Sequence, residues 1–261
     1  MSNPIKVRVD APTATITLDR PEKRNALTFD MIQAVREALR DIYQEKRVRA
    51  IVLTGSGAAF CGGRDVPEML EPSDNETADL QRWGDQAEAY RELIEEMLRL
   101  PKPIIAAVNG AAVGAGAGLV LASDIVIGCP QARFGLPDTR LGVVAGVEAP
   151  LLAFRLGAGA AARLLLTGAV IEPEEALQLG VYHEAVPGDL VWARAVEIGA
   201  QCAAAAPEAV LITKRLLSDT VGEQLLVQLS SGAIAAASAL TTEAAQEGLK
   251  AFVEKRAPAW K

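Results

Sequence analysis

Two glycine-rich turns in the sequence could place main-chain N–H groups against one oxygen atom of a ligand. The first is "AAFCGGRDV", residues 58–66, and the second lies in "AVGAGAGLVLASDIV", residues 112–126. Glycines leave the backbone open because no Cβ blocks an approaching ligand. Each turn follows a short apolar segment that is typical of a buried strand. Two N–H groups aimed at one carbonyl oxygen would form an oxyanion hole, which stabilises charge developing on that oxygen.

Nucleotide phosphates fit these turns poorly. A dinucleotide fingerprint requires Gly-x-Gly-x-x-Gly, but after Gly114 and Gly116 the third position holds Leu119. A P-loop ends in Gly-Lys-Ser/Thr, and no lysine occurs between Lys102 and Lys214. A thioester oxygen is another possible ligand, and composition alone equally allows two unrelated tight turns.

Histidine and cysteine chemistry has little support in the sequence. The single histidine, His183, lies in a segment that predicts a short strand, and a Ser-His-Asp or Cys-His site would have to use it. Cys61, Cys129 and Cys202 are far apart and form no Cys-x-x-Cys pair. We interpret them as buried thiols and expect neither a disulfide framework nor a metal site. Cys61 lies within the first turn, but no base is near it in the sequence.

Composition limits the class of protein. The chain has 261 residues, half of them hydrophobic, and a net charge of -7, which provides no basic surface for nucleic acid. The N-terminus lacks the pattern of a secretory signal, and no apolar run reaches the ~18 residues of a membrane span. We expect a cytoplasmic protein with no nucleic-acid or membrane partner. Its predicted organisation is a core over residues 1–195 and a helical region over 196–261.

The predicted elements run from strands to helices. "IKVRVD" and "TATITLD" alternate apolar residues and predict a hairpin, and a helix capped by Thr28 or Asp30 follows. Residues 50–55 predict a strand buried on both faces, and Asp65 to about Asp85 a mobile or variable loop. An amphipathic helix ending at "PKP" comes next, with its aromatic residues in the core. A strand over 104–108, a helix to Ser123, the strand "DIVIG" and a loop then precede an almost entirely helical remainder.

Five segments together resemble the enoyl-CoA hydratase/isomerase, or crotonase, superfamily, in its order and across nearly the whole chain. They are "RPEKRNALT", "AFCGGRDVPEM", "KPIIAAVNGAAVGAGAGLVLASDIVIG", "ARFGLPDTRLGVVAG" and "AFVEKRAPAW". The resemblance implies an α/β fold, a crotonase-like spiral of repeated β-β-α units with a C-terminal helical trimerisation region. It also implies an acyl-CoA thioester substrate, a homotrimer or dimer of trimers, and no separate cofactor, because coenzyme A is part of the substrate.

Site residues follow from the same resemblance. The main-chain N–H groups of Arg64 and Ala115 match the two oxyanion donors. Matching positions that bind the coenzyme A and acyl parts of the substrate are Arg24, Ala26, Leu27, Gly62, Asp65, Val66, Gly114, Pro137 and Lys255, with Arg256 as a second cation near Lys255.

The chain departs from the family's hydratases at the acid positions. Hydratases have two glutamates facing the enoyl group, whereas here the first position is Gly118 and the second is Asp138. One base suffices to move a double bond, so we predict an isomerase-like enzyme rather than an efficient hydratase. Glu148 could restore a second catalytic carboxylate, and Glu68 and Glu71 are weaker candidates. The alternatives are that Asp138 is a turn residue and Glu148 a solvated acid at a helix start.

Other functions stay open at this point. The fold type also supports thioester hydrolysis, dehalogenation and decarboxylation through changes of one or two side chains. A non-catalytic relative could bind coenzyme A or RNA, although the acidic charge and Asp138 oppose RNA binding. A serine protease on the same type of spiral would depend on His183.

Overall fold

The computed structural model describes residues 3–72 and 75–260, without the side chains of residues 218–223. Its strands are β1 (Ile5–Asp10), β2 (Thr13–Leu18), β3 (Ala50–Gly55), β4 (Ala59–Cys61), β5 (Ile104–Ala107), β6 (Ala111–Val113), β7 (Ile125–Gly128), β8 (Phe134–Gly135), β9 (Val170–Ile171) and β10 (Glu184–Ala185). Its α-helices are α1 (Phe29–Gln44), α2 (Val66–Met69), α3 (Glu76–Arg99), α4 (Ala115–Ala122), α5 (Glu148–Leu156), α6 (Ala158–Thr167), α7 (Pro173–Gln178), α8 (Val191–Ala204), α9 (Pro207–Ala239) and α10 (Glu243–Glu254). Pro21–Lys23 and Pro137–Leu141 form 3-10 helices.

The strands form two sheets between which the chain alternates. The larger sheet has the order β1-β2-β3-β5-β7-β10, and the smaller has the order β4-β6-β8-β9. Only the β1–β2 and β8–β9 pairs are antiparallel among the described strand pairs. From β3 to β8 each turn of the chain adds one strand to each sheet and then continues into a helical segment. This spiral of β-β-α units agrees with the predicted fold class.

Burial on both faces explains why β3 and β5 are continuously apolar. Val52 and Ile105 pack with α8, whereas Ile51 and Ile104 belong to the main core that also contains residues of α1 and α3. Both strands are therefore fixed from two sides. Strands β4 and β6 follow β3 and β5 in the chain, so the turns after β4 and β6 are attached to rigid elements.

The prediction of a loop from Asp65 to about Asp85 was wrong over most of its length. Asp65 caps the short helix α2, and α3 begins at Glu76 with the Asn75 side chain accepting from Ala78 N. Residues 73 and 74 of the predicted loop lie outside the described residues. The first turns of α3 are largely polar and exposed, so they lack an apolar period that would predict a helix; Leu80, placed on the apolar stripe, is 47% exposed.

Two other predictions also need correction. The segment after β7, predicted as a loop, contains β8 and the 3-10 helix Pro137–Leu141, and the region after residue 150, predicted as almost entirely helical, contains β9. The short strand predicted in the segment around His183 is present as β10. Strands as short as β8 and β9 depend on partners distant in the sequence, and their own residues carry too little pattern to reveal them.

The C-terminal helices pack back onto the core. On α9, the buried Lys214 ammonium donates to Asp124 Oδ2 at 2.6 Å and to the carbonyl oxygens of Met97 and Lys102 at 3.1 and 3.2 Å. The proposed division between residues 195 and 196 falls inside α8 and stays a prediction. Within the described ranges, no single helix is long and apolar enough to cross a membrane, although two bent helix pairs pass by length and composition.

Candidate active site

The two glycine turns lie side by side at the ends of β4 and β6. Gly63 has φ 96° and Gly114 has φ 53°, a region of backbone conformation that favours glycine. A Cβ built on Gly63 would lie 3.7 Å from Ala115 N, so the turns are in contact. Within the described part of the chain, neither Arg64 N nor Ala115 N donates to a backbone acceptor. Both N–H groups are therefore available to a ligand.

The segment before α1 braces the first turn. Leu27 N donates to Gly63 O at 2.8 Å, Asp65 N donates to Leu27 O at 2.9 Å, and Gly62 N donates to Arg24 O at 2.8 Å. These bonds form a short parallel pairing along the turn. The conformation of the first turn is consequently set by a segment nearly forty residues earlier in the chain.

Asn25 connects this segment to the end of β3 and to β4. Its fully buried side chain donates to the carbonyl oxygens of Ser56, Ala59 and Phe60 at 2.9, 2.9 and 3.2 Å. Its Oδ1 accepts from Arg20 N at 2.9 Å. Asn25 lies within "RPEKRNALT", but the sequence alone did not predict a role for its side chain. The available signal in the sequence was the asparagine itself, a residue type that tolerates the left-handed backbone region. Asn25 lies in that region, with a φ of 55°.

A cleft of about 790 Å³ runs along both turns. It gathers most of the predicted site residues: Arg24, Ala26, Gly62, Arg64, Asp65, Val66, Gly114, Ala115, Pro137, Asp138, Glu148 and Lys255. Further walls come from Trp83, Gln86 and Tyr90 on α3, Leu141 and Val143, Leu240 near the end of α9, and Leu249 and Phe252 on α10. The mostly apolar wall suits an acyl chain.

Three of the predicted site residues do not offer a free side chain to the cleft. Leu27 is wholly buried beneath the first turn and does not line the cleft. Arg256 is held by Glu247 at 2.5 Å and by Glu254 at 2.6 Å. Asp65 lines the cleft, but its carboxylate is paired with Arg20 at 3.0 Å.

The two weaker acid candidates do not line the cleft, and His183 and Cys61 are not placed to act as a base or a nucleophile there. Both carboxylate oxygens of Glu68 accept from Phe29 N, and neither Glu68 nor Glu71 lines the cleft. His183 accepts through Nδ1 from Val126 N at 2.9 Å, far along the larger sheet. Burial raises the pKa of the Cys61 thiol to about 12, so this thiol is inert.

Asp138 presents a free carboxylate oxygen to the cleft. The residue lies in the 3-10 helix Pro137–Leu141, and its Oδ2 is buried without a hydrogen-bond partner among the described residues. This oxygen would lie 4.0 Å from a Cβ built on Gly114, next to the second turn. Burial raises the pKa of Asp138 to about 6. These observations oppose the interpretation of Asp138 as a simple turn residue, whose carboxylate would be solvated or bound to nearby main chain.

The Glu148 side chain packs beside Gly118. A Cβ built on Gly118 would lie 1.9 Å from Tyr90 Oη and 3.1 Å from Glu148 Cγ, so a side chain at this position would collide with Tyr90 as it stands. Glu148, the first residue of α5, is only 6% exposed and lies near the Tyr90 hydroxyl. The alternative of a solvated helix-start acid is therefore wrong. The space next to Gly118 is filled from α5 and α3 instead.

The two carboxyl groups are close enough to influence one another. Burial, and then the charge of Asp138, raise the pKa of Glu148 to about 7. Because the charge of one carboxyl group affects the other, their protonation is linked, as expected for interacting carboxyls in a dry site. Such a pair can both accept and return a proton.

Tyr90 and the side chain of Arg64 were missed by sequence reasoning. Tyr90 was placed in the core, and the structure indeed buries it, but its Oη also donates to Ala115 O at 2.8 Å. The guanidinium of Arg64 reaches Gln86 on α3. The apolar period of α3 predicted that Tyr90 is buried. It could not show that Tyr90 also lines a cleft. Among the described residues no cluster of metal-ligating side chains occurs, and the absence of a metal stays a prediction.

Known proteins resemble this chain in sequence and in overall fold. A sequence profile of the enoyl-CoA hydratase/isomerase family matches residues 9–261. The chain is 31% identical over 256 residues to a short-chain-enoyl-CoA hydratase of Clostridium acetobutylicum, covering 97% of this chain and 96% of the relative. An enoyl-CoA hydratase/isomerase structure from Mycobacterium paratuberculosis superimposes with a TM-score of 0.87 at 29% identity, covering 96% of this chain and 98% of that one. A carnitinyl-CoA hydratase structure from Mycobacterium avium gives a TM-score of 0.84 at 32% identity, covering 100% and 99%.

The chain belongs to the enoyl-CoA hydratase/isomerase family. It is accordingly an enzyme of the lyase or isomerase type that acts on acyl-CoA, and its fold is the crotonase fold.

Proposed function

We propose that the enzyme moves the double bond of an enoyl-CoA thioester by proton transfer through Asp138. The observation that carries this proposal is the buried, unpartnered Asp138 Oδ2 beside the two glycine turns. The N–H groups of Arg64 and Ala115 would donate to the thioester oxygen. Asp138 would remove the α-proton of a 3-enoyl thioester, the electron pair would move onto that oxygen as a dienolate, and the proton would return at the γ-carbon.

One partly buried base is enough for this reaction. With a pKa of about 6, Asp138 is mostly ionised at neutral pH, yet basic enough to take a proton from an activated α-carbon. Burial also raises the pKa of Glu148, to about 7, so geometry rather than pKa distinguishes the two carboxyl groups. Asp138 is the one whose Oδ2 is buried without a partner beside Gly114 among the described residues, which favours isomerisation with Asp138 as the base.

Hydration is the second candidate, and the position of Glu148 favours it. The prediction of poor hydratase activity depended on the missing acid at Gly118, but the buried Glu148 packs its side chain beside that position and also lines the cleft. Adding water across a double bond needs one group to orient the water and one to protonate carbon, and a carboxyl pair can do both. Named hydratases among the relatives agree with this alternative.

The coenzyme A part of the substrate would bind where Arg24 and Lys255 line the cleft. Arg24 and Lys255 are exposed, line the cleft and take part in no ion pair within the described ranges. Phosphate groups bind such cations through charge-assisted hydrogen bonds.

The proposed enzyme would act as a homotrimer or a dimer of trimers.

A panel of CoA thioesters separates these reactions. The purified enzyme would be incubated with 3-enoyl, 2-enoyl and saturated thioesters of several chain lengths, and the products analysed by mass and ultraviolet absorbance. We expect 3-enoyl thioesters to become 2-enoyl thioesters of unchanged mass faster than 2-enoyl thioesters gain water. Faster gain of water would make the enzyme a hydratase, and release of free coenzyme A would make it a thioester hydrolase. Binding of thioesters without conversion would indicate a non-catalytic relative.

A further inference from the structure

Arg64 lines the cleft, and its guanidinium lacks some of the hydrogen-bond acceptors that it needs. The side chain makes two long hydrogen bonds, both to Gln86: one to the carbonyl oxygen at 3.5 Å and one to Oε1 at 3.3 Å. Its Nε is buried and has no partner among the described residues. Burial lowers the pKa of Arg64, which expresses the cost of holding this charge away from water.

Two other poorly exposed arginines of the chain, Arg36 and Arg91, are better satisfied. Arg36 forms ion pairs with Glu92 at 2.7 Å and Glu96 at 2.9 Å. Arg91 forms one with Glu88 at 2.6 Å and another with Glu95. Buried charges are costly unless they are paired or fully hydrogen-bonded. Arg64 therefore differs from these residues in needing an acceptor that the described chain does not provide.

The nearby acids do not serve as that acceptor. Glu68 and Glu148 attract the guanidinium from a distance, but neither forms an ion pair with it within the described residues. The Glu68 carboxylate accepts from Phe29 N, and no ion pair joins Glu148 to Arg64 in the described part of the chain. Arg64 and Gln86 both line the cleft, and the guanidinium lies against Gln86.

We propose that Arg64 binds a carboxylate on the acyl group of the substrate, so that the enzyme prefers CoA monothioesters of dicarboxylic acids over neutral acyl-CoA. A carboxylate matches the guanidinium in geometry and compensates its charge, whereas a neutral carbonyl or hydroxyl group offers only the hydrogen bond. The site is adjacent to the turn that would hold the thioester oxygen, since the same residue supplies that N–H group. This inference rests on the proposed acyl-CoA function and extends it to a substrate class.

Binding of saturated thioesters tests the proposal without relying on catalysis. Calorimetric titration would compare an ω-carboxyacyl-CoA with its methyl ester over several chain lengths, using the wild-type enzyme, Arg64→Met, Arg64→Lys and the exposed control Arg47→Met. At the best chain length, we expect the wild type to bind the acid about 10- to 100-fold more tightly than the ester, the range for a hydrogen-bonded charged group. Arg64→Met should lose this ratio, Arg64→Lys should keep part of it, and Arg47→Met should keep all of it. Circular dichroism would verify that each variant is folded.

The outcomes distinguish this inference from the proposed function. Equal binding of acid and ester at every chain length by the wild type, or an unchanged ratio in Arg64→Met, would overturn the carboxylate site. Tighter binding of an ω-amide than of the acid would overturn it as well and show a neutral acceptor. Unsaturated forms of the same thioesters would then be tested for proton transfer. If none is converted, the proposed function fails while a measured acid preference still supports the Arg64 site.

Discussion

Asp138 and Glu148 belong to different elements but lie in one buried space, so their protons are linked. The cause of both raised pKa values is chiefly the loss of water around the carboxyl groups. Residue types alone indicated two candidate acids. Their proximity could not be predicted from sequence, because it depends on how α5 is oriented against α3 and α4.

The pH dependence of activity should reveal which carboxyl is the base. If Asp138 acts as an ionised base, kcat/KM for isomerisation should rise with pH through about 6 and then stay level. Asp138→Asn should lower kcat by about 10²- to 10⁴-fold while leaving affinity for coenzyme A nearly unchanged. Initial rates from about pH 4.5 to 9, a range that brackets the ordinary and raised carboxyl pKa values, measure the first effect. Exchange of acyl α-protons in D₂O measures the second.

A fall in activity above about pH 7 that disappears in Glu148→Gln would contradict this assignment, because Glu148 would then be required as a protonated acid. Full activity of Asp138→Asn would remove Asp138 from the mechanism altogether.

Gly118 gives a second prediction at this scale. Restoring an acid by Gly118→Glu would be expected to raise hydratase activity only if the pocket admitted it, and the 1.9 Å approach to Tyr90 Oη means that Tyr90 would first have to move. We expect Gly118→Ala to destabilise the protein by about 1–3 kcal/mol through overpacking, and Gly118→Glu by more. Urea unfolding would measure both variants. Gly159→Ala is the matched control, because a Cβ at this helical glycine meets no atom within 4 Å and should stabilise the protein slightly. Higher hydratase activity in folded Gly118→Glu would show instead that the pocket admits a side chain at this position.

At the scale of elements, rigid strands and their braces hold the turns that face the substrate. The continuous apolar character of β3 and β5 and the apolar period of α1 made these elements predictable, and Thr28 was correctly proposed as a cap. The start of α3 was not predictable from apolar pattern, although the capping residue Asn75 was a usable signal. The brace formed by Asn25 was hidden because its partners at the end of β3 and on β4 become neighbours only in the folded chain.

Removing the brace should loosen the first turn. Asn25→Ala leaves three carbonyl oxygens and one N–H without their partner, so we expect a loss of about 2–4 kcal/mol in unfolding free energy and a higher KM. Urea unfolding and steady-state kinetics provide the measurements. Asn75→Ala, which removes only an exposed cap, should cost about 1 kcal/mol and leave KM unchanged. Equal costs for the two variants would argue against a special role for Asn25.

The C-terminal segment offers a comparison between adjacent cations. Lys255 lines the cleft, whereas Arg256 is held by Glu247 and Glu254. We expect Lys255→Ala and Arg24→Ala to raise KM more than they lower kcat, and to weaken binding of coenzyme A relative to its dephospho form. Arg256→Ala should have a smaller effect on KM. A larger effect for Arg256 than for Lys255 would mean that its carboxylate partners release it for the substrate.

At the scale of the whole molecule, much apolar surface remains uncovered on a single chain. On α9, Val227 is 67% exposed and Ile234 70% exposed, and Phe252 on α10 is 55% exposed. Exposed apolar surface of this extent on adjoining helices favours association. The cytoplasmic location and the trimer or hexamer both stay predictions.

Sedimentation tests the assembly. We expect the enzyme to sediment as three or six chains at micromolar concentration, and Val227→Asp with Ile234→Asp to shift it toward single chains, because burying unpaired carboxylates opposes association. Leu80→Asp, at an exposed position on α3, is the matched control and should not change the assembly. Sedimentation of the unmodified enzyme as a monomer would contradict the prediction.

The space beside Gly118 also affects how members of this family are compared. By its resemblance to hydratases, this chain would be matched position by position as lacking its first acid, because Gly118 stands at that position. In the folded chain the side chain of Glu148, thirty positions later and on another helix, packs against that space, and Glu148 lines the cleft together with Asp138. A comparison of matched positions and a comparison of the side chains around the cleft therefore describe this site differently. Relatives can be compared by the acids that line their clefts as well as by the residues at matched positions.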